Sequence, residues 1–330
     1  MTDVKLCAII WEIYLSVSKR GIKNVLFMEN SVVNRIKALK KEKNAVILAH
    51  YYAPAEAQKL ADHVGDSYYL AKLATRTDAD IVVFCGVGFM GESVKMLNPD
   101  KKVLMPDPAA DCAMAHMASV ERIADLRSKY DDLAVVCYIN STAALKSVSD
   151  VCVTSSNAVK IVRALPNKNI FFIPDKNLGS YVASQLPEKN IILNDGCCPI
   201  HASLRANSVE RIKKTYPHAK VLTHPECLPE ILELSDYIGS TAEILAYAAE
   251  NDGMEFIVCT EEGVAYALTE KSPGKMFYFP AELPPCADMK LNTPEKILET
   301  LENEINEIKV DSETCARARI PLEKMLELAK

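Results

Sequence analysis

Short apolar runs that end on polar residues alternate along this chain with stretches of helical spacing. The runs NAVILAH (44–50), IVVFCG (81–86) and KVLMPD (102–107) are rich in β-branched residues and uninterrupted, as strands buried on both faces of a parallel sheet are. Helical spacing separates them in AEAQKLAD, SYYLAKLATRTD and GFMGESVKML. The same order recurs twice, in AVVCYIN (134–140), IFFIPD (170–175) and NIILND (190–195), then in KVLTHPE (220–226), FIVCTE (256–261) and MFYFPA (276–281). A short apolar step, HVGDS, VCVTSS or YIGST, follows the first run of each set. Strand and helix in alternation predict an α/β protein with parallel sheets.

The three sets read as copies of one unit. Anchored on Asp62, Asp150 and Asp236, the sequence keeps register in both directions. Twelve residues earlier stand His50, Tyr138 and His224; ten earlier stand Tyr52, Asn140 and Glu226; five later stand Ser67, Ser155 and Thr241. Cys112, Cys198 and Cys286 follow the same aspartates by 50, 48 and 50 residues. A repeat this long predicts three homologous three-layer αβα domains around a pseudo-threefold axis. The expected division is an extension over 1–30, read as an extra helix, then domains over 31–131, 132–218 and 219–297. Two charged amphipathic helices over 291–330 end the chain, with 298–330 expected to pack back on the first domain. The segments SVERI (119–123), SVERI (208–212) and TPEKI (293–297) open helices joining one domain to the next, with Ser119, Ser208 and Thr293 as the expected N-caps.

Composition narrows the function. The net charge of −6, with no basic run, argues against a nucleic-acid surface. No uncharged apolar stretch is long enough for a membrane span. The apolar run Leu6 to Val17 is broken by Glu12 and lacks a basic leader or a cleavage site, so no signal peptide is expected. Eleven cysteines, an odd number without an export signal, point to reduced thiols in a cytoplasm. Cys85, Cys137, Cys152 and Cys259 lie within strand-like runs and are expected to pack as small apolar side chains.

In parallel sheets, ligands sit beyond the carboxyl ends of the strands. All six strand-end residues found by the register are polar. One alone would read as a solvated loop end; a polar pair at the same place in three copies reads as a site. Gly65-Asp66-Ser67, Thr154-Ser155-Ser156 and Gly239-Ser240-Thr241 each offer hydroxyls and backbone N–H groups at a helix start, suited to carboxylate or phosphate. A single such step would be ordinary capping. One cysteine from each copy would bring three thiols to the axis, and none of them belongs to a C-x-x-C pair of the kind that builds structural zinc sites. Three soft ligands suit a 4Fe-4S cubane that is one ligand short. Zinc with a His or Glu as fourth ligand, or plain packing cysteines, are the other readings. An uncovered iron would be a Lewis acid, with the nearby His, Tyr and Glu moving protons.

In ILAHYY (47–52), LADHVGDS (60–67), FCGVGFMGESVKMLNP (84–99), MPDPAADC (105–112), CCPIH (197–201), HPEC (224–227) and IGST (238–241), among other segments in order, the chain resembles the quinolinate synthase family of NAD biosynthesis. The likeness runs over about residues 35–330. It implies a 4Fe-4S cluster held by Cys112, Cys198 and Cys286, and condensation of iminoaspartate with dihydroxyacetone phosphate to quinolinate, phosphate and two waters. The resemblance further implies that His50, Ser67, Tyr138, Asn140 and Ser155 hold substrate carboxylates or phosphate, with more contacts from His201, Ser240 and Thr241. Tyr52, His224 and Glu226 match the proton-transfer set, the latter two also touching substrate, and Tyr138 is counted with the catalytic residues. Functional coupling to an iminoaspartate-producing enzyme is implied as well. Two departures stand out: Gly88 replaces a frequent His, and Cys197 neighbours the expected ligand. The repeat register and the Pro-Ile-His that follows favour Cys198. A different Fe-S hydro-lyase acting on a small di- or tricarboxylate, or a non-enzymatic iron or redox sensor, are the alternatives, though a sensor has no need of the polar strand ends.

Overall fold

The computed structural model describes residues 31–330; the expected helix within 1–30 lies outside them. Among the described residues, twelve strands form three sheets, all parallel. The first contains β1 (Ala45–His50), β2 (His63–Gly65), β3 (Ile81–Cys85) and β4 (Lys102–Leu104) in the order β2-β1-β3-β4. The second has β5 (Ala134–Tyr138), β6 (Val151–Val153), β7 (Asn169–Ile173) and β8 (Asn190–Leu193) in the order β6-β5-β7-β8. The third repeats it with β9 (Lys220–Thr223), β10 (Tyr237–Ile238), β11 (Glu255–Cys259) and β12 (Met276–Tyr278), ordered β10-β9-β11-β12. Identical topology three times bears out the α/β reading of three αβα units.

Strand alternation explains why the runs are apolar throughout. In the third sheet Leu222, Phe256 and Val258 enter one core with helices Thr241–Glu250 and Val264–Lys271, while Val221, Ile257 and Cys259 enter a second core on the opposite face. The first sheet divides likewise, with Leu48, Val82 and Phe84 on one side and Ile47, Val83 and Cys85 on the other. Cys85, Cys137, Cys152 and Cys259 are all fully buried in these strands.

The register aspartates have a structural task. Asp62 donates its N–H to the Ile47 carbonyl at 2.8 Å and accepts the Ile47 N–H on Oδ2 at 2.8 Å. Asp150 does the same to Val135 at 3.0 and 2.6 Å, and Asp236 to Val221 at 2.9 and 2.8 Å. Each aspartate also meets a cation from the helix that leads into its unit: Lys40 at 2.6 Å, Arg127 at 2.9 Å and Lys213 at 3.7 Å. The leading helices, over 31–42 and at Val120–Lys129 and Ala206–Thr215, are thereby tied to the sheets that follow them. The boundaries expected from the sequence, 131/132 and 218/219, fall just after the latter two helices.

The chain closes on itself by the same device. Helix Pro294–Asn303 would lead a fourth unit, but its Ile297 and Leu301 pack with Ile36 and Leu39 against the first sheet. The next residues run beside β4, with Met105 N–H donating to Asn306 O at 3.1 Å and Ile308 N–H to Val103 O at 2.9 Å, which covers that sheet edge. Helix Ser312–Leu328 packs on the first domain as expected and reaches the second as well. Its Ala318, Leu322 and Met325 fill the seam between helix Gly88–Leu97 of the first unit and helix Ala143–Lys146 and β6 of the second, where both units present apolar surface. Among the expected caps, Ser119 and Thr293 accept from the Arg122 and Lys296 amides, but Ser208 is no cap. Its helix starts earlier, at Ala206 after Arg205, and Ser208 is buried within the first turn.

Asp150→Ala should destabilise the protein by about 1–2 kcal/mol, because the Val135 amide loses its side-chain acceptor. The exposed Asp131→Ala should leave the denaturant midpoint unchanged. Equal midpoints for the two variants would remove the clamp from the account.

Candidate active site

The carboxyl ends of the central strands of all three sheets open into one cavity of about 220 Å³. His50 and Tyr52 come from the first sheet, Tyr138 and Asn140 from the second, His224 and Glu226 from the third, and all six line it. Ser67, Ser155, Thr241 and His201 line it too, as do Cys112, Cys198 and Cys286. Cys197 is not among the lining residues. Ser240 is the one predicted site residue absent from the wall. It caps helix Thr241–Glu250 in a reciprocal pair with Glu243, its Oγ accepting the Glu243 N–H at 3.3 Å while Glu243 Oε2 accepts the Ser240 N–H at 2.7 Å.

Local chain geometry orients the imidazoles. His50 Nδ1 accepts the Tyr52 N–H at 3.2 Å, and His224 Nδ1 accepts the Glu226 N–H at 3.4 Å, the same contact in two copies. Both rings are buried. Burial, then the neighbouring His224, lowers His50 to about 3, and burial lowers His224 to about 4. Each is therefore a neutral ring whose Nε2–H is its donor.

The remaining polar groups form one network across domains. The Tyr52 hydroxyl lies 2.8 Å from Thr241 Oγ1 and 2.7 Å from Thr260 Oγ1, and burial pushes its pKa well up, which keeps the proton on. Thr260 Oγ1 is also 2.9 Å from His201 Nε2. His201 Nδ1 in turn sits 2.8 Å from Glu226 Oε2 and 3.2 Å from Cys198 Sγ, and its ring stacks on His224 at 4.8 Å. Burial raises the Glu226 carboxyl, but His224, His201 and the Tyr138 hydroxyl beside it outweigh that and hold it ionised. Two acceptors have no protein partner although buried: Asn140 Oδ1 and Glu226 Oε1. Orphaned acceptors at a cavity wall suit a ligand that brings donors.

Thr260 escaped the sequence reading. It stands 24 residues after Asp236, where the other copies carry Gly86 and Pro174, so no repeat signal marked it. A second set was legible but unread. Asp175 and Glu261 each lie 25 residues after their register aspartate, and each accepts a cysteine amide: Cys198 N–H on Asp175 Oδ2 at 2.9 Å and Cys286 N–H on Glu261 Oε1 at 3.0 Å. The first copy has Val87 there and uses Asp111 Oδ1 for the Cys112 N–H, at 2.7 Å. Lys290 braces Glu261 at 2.7 Å and donates to Tyr52 O at 2.9 Å.

Cys112, Cys198 and Cys286 are the thiols of this cavity that could hold a metal or a cluster. All three thiols are raised by burial, so they stay protonated until a metal displaces the proton. The three sulfurs do not form a donor triple within 4.8 Å among the described residues. A single tetrahedral ion would draw them to about 3.8 Å, whereas a core with one iron per thiolate spans a wider triangle. No helix of the described residues is long and apolar enough to cross a membrane.

The quinolinate synthetase A protein family matches residues 34–327. A quinolinate synthase of Fusobacterium nucleatum is 54% identical over 296 residues, covering 90% of this chain and 99% of that protein. Quinolinate synthases of Clostridioides difficile (49% identical, 92% of this chain and 100% of that protein) and Aquifex aeolicus (48%, 89% and 93%) are similar over the same span.

The His50 ring generates a pH prediction. Its folded pKa lies below the unfolded value near 6.5, so its contribution is complete above that pH and is lost as pH falls toward 3. At pH 5 the loss is about 2 kcal/mol. In chelator-treated protein the melting temperature should fall a few degrees further between pH 7 and pH 5 for the parent than for His50→Gln. Parallel curves would contradict a neutral, buried His50.

Proposed function

The chain belongs to the quinolinate synthetase A protein family, and on that premise we propose that it condenses iminoaspartate with dihydroxyacetone phosphate, releasing quinolinate, phosphate and two waters. The observation that carries the proposal is the convergence of six polar strand ends from three sheets on one cavity that three cysteines also line. Cys112, Cys198 and Cys286 would hold a 4Fe-4S cluster. With three protein ligands for four irons, such a cluster would supply Lewis-acid chemistry of use in dehydration.

The protein's own groups divide the rest of the work. Ser67 and Thr241 open helices Ser67–Ala74 and Thr241–Glu250, whose first amides suit the phosphate and a carboxylate. Ser155 and the neutral Nε2–H donors of His50 and His224 add hydrogen bonds to substrate oxygens. Asn140 Oδ1, left without a protein partner, is placed for the substrate nitrogen. The enamine carbon of iminoaspartate attacks the triose, phosphate departs, the triose portion isomerises from ketone to aldehyde by proton shifts, and the amine closes on the carbonyl. Those steps need a base and an acid in one dry site. Glu226, held ionised, takes protons; Tyr52, held protonated by burial and poised on Thr241 and Thr260, returns them, with Tyr138 and His224 alongside. This chemistry places the protein after an enzyme that makes iminoaspartate. The cysteine-rich, reduced site suits a cytoplasm.

Anaerobic protein given both substrates should form quinolinate, and Tyr52→Phe or Glu226→Gln should lower kcat by about 10²–10⁴-fold. Cys112→Ala, Cys198→Ala and Cys286→Ala should each abolish the visible cluster absorption, while Cys85→Ala should not. If all four cysteine variants keep the parent's iron and sulfide content, the ligand assignment is wrong.

A further inference from the structure

Cys198, His201 and Glu226 bring a sulfur, an imidazole nitrogen and a carboxylate oxygen within 4.8 Å of one another at a buried point. The closest approaches are 3.2 Å from Cys198 Sγ to His201 Nδ1 and 2.8 Å from His201 Nδ1 to Glu226 Oε2. Zinc bond lengths in a tetrahedral shell set ideal separations of about 3.5 Å for sulfur to nitrogen and about 3.3 Å for nitrogen to oxygen. The sulfur–nitrogen and nitrogen–oxygen sides are thus each within about half an ångström of a zinc shell, and the sulfur–oxygen side lies within 4.8 Å.

Two further features mark the triad as more than a hydrogen-bond chain. Thr260 Oγ1 lies 2.9 Å from His201 Nε2, the outer partner that lets a ligating histidine carry its proton on the far nitrogen and turn the near one to a metal. Glu226 Oε1 is buried with no hydrogen-bond partner, which leaves half of an enclosed carboxylate without compensation.

We propose that the cluster-free protein binds one borderline-soft divalent ion, zinc above all, on Cys198, His201 and Glu226, with a fourth position open to water. Binding breaks the Cys198 S–H bond and forms a metal–thiolate bond; the proton leaves to solvent and no redox change occurs. Magnesium and calcium, which want oxygen shells, do not compete for a sulfur and a nitrogen. Because the ion and the cluster would both claim Cys198 Sγ, they exclude each other. That second half rests on the cluster assignment above; the first half does not. Zinc would thus hold the site in an inactive form that chelation reverses.

The test titrates chelator-treated, cluster-free full-length protein with zinc, and separately with cobalt as a coloured probe. One zinc per chain should survive gel filtration, and cobalt should give a thiolate-to-metal charge-transfer band. Cys198→Ser, His201→Gln and Glu226→Gln should each weaken zinc binding at least tenfold. Cys112→Ala and Cys286→Ala should retain zinc while failing to hold a cluster, a pattern that a merely misfolded site does not give. Zinc-loaded parent should rebuild the cluster at least tenfold more slowly until chelator is added. Zinc binding that is absent, unchanged in Cys198→Ser, or equally dependent on Cys112 and Cys286 overturns the site; an unchanged rebuilding rate overturns the exclusion. A parent that takes zinc but never a cluster supports the ion site and defeats the cluster assignment instead.

Discussion

One backbone contact, made three times, sets the position of every group in the cavity. An aspartate at the foot of each second strand grips the first strand of its sheet through both its amide and its carboxylate, at Ile47, Val135 and Val221. Side chains alternate along a strand, so a slip of one residue would turn the core-facing set to the wrong layer and the strand end with it. With that freedom removed, His50, Tyr138 and His224 each follow the gripped residue by three places and emerge at the carboxyl end of the strand.

Convergence of the sheets then makes domain packing and site geometry the same set of bonds. Tyr52 of the first unit reaches Thr241 and Thr260 of the third, and Glu92 of the first accepts the Ala143 amide of the second at 2.9 Å. Backbones come close as well: a Cβ on Gly263 would lie 2.7 Å from Tyr52 Cα and O, so only glycine lets the third unit approach the first there. Individually such hydrogen bonds are worth about 1 kcal/mol. Their weight comes from being shared, since a rigid shift of one unit would break the Tyr52 contacts and part the cysteines together.

What was legible in the sequence was whatever repeats. Strand ends, cysteines and the aspartates recur at fixed offsets, so counting located them without a fold in hand. Groups present in one copy only were invisible: Thr260 has glycine and proline as counterparts, and His201 entered through resemblance to a family and not through register. Amphipathic periodicity marks a helix but not the sheet it covers; the ion pairs of Lys40, Arg127 and Lys213 with the register aspartates, and the packing of Val209 with Val221 and Ile257, join each helix to the sheet that follows it. The second partner of the last helix was not legible, because its apolar stripe fits a seam that exists only once two units have met.

Triplication supplies a scaffold with equivalent places and then fills them with unlike chemistry. The position ten residues before each register aspartate holds Tyr52, Asn140 and Glu226. Burial keeps the phenol protonated, the amide is neutral with its oxygen unpartnered, and the carboxylate stays ionised against its own desolvation because His201 and His224 adjoin it. A donor, a neutral acceptor and a base therefore surround one cavity at matched distances along three strands. His50 and His224 belong to the same division, since burial holds each ring neutral and leaves it a hydrogen-bond donor with no charge of its own. Symmetry of the backbone fixes where the groups stand, and its breaking in the side chains separates their protonation states within one cavity.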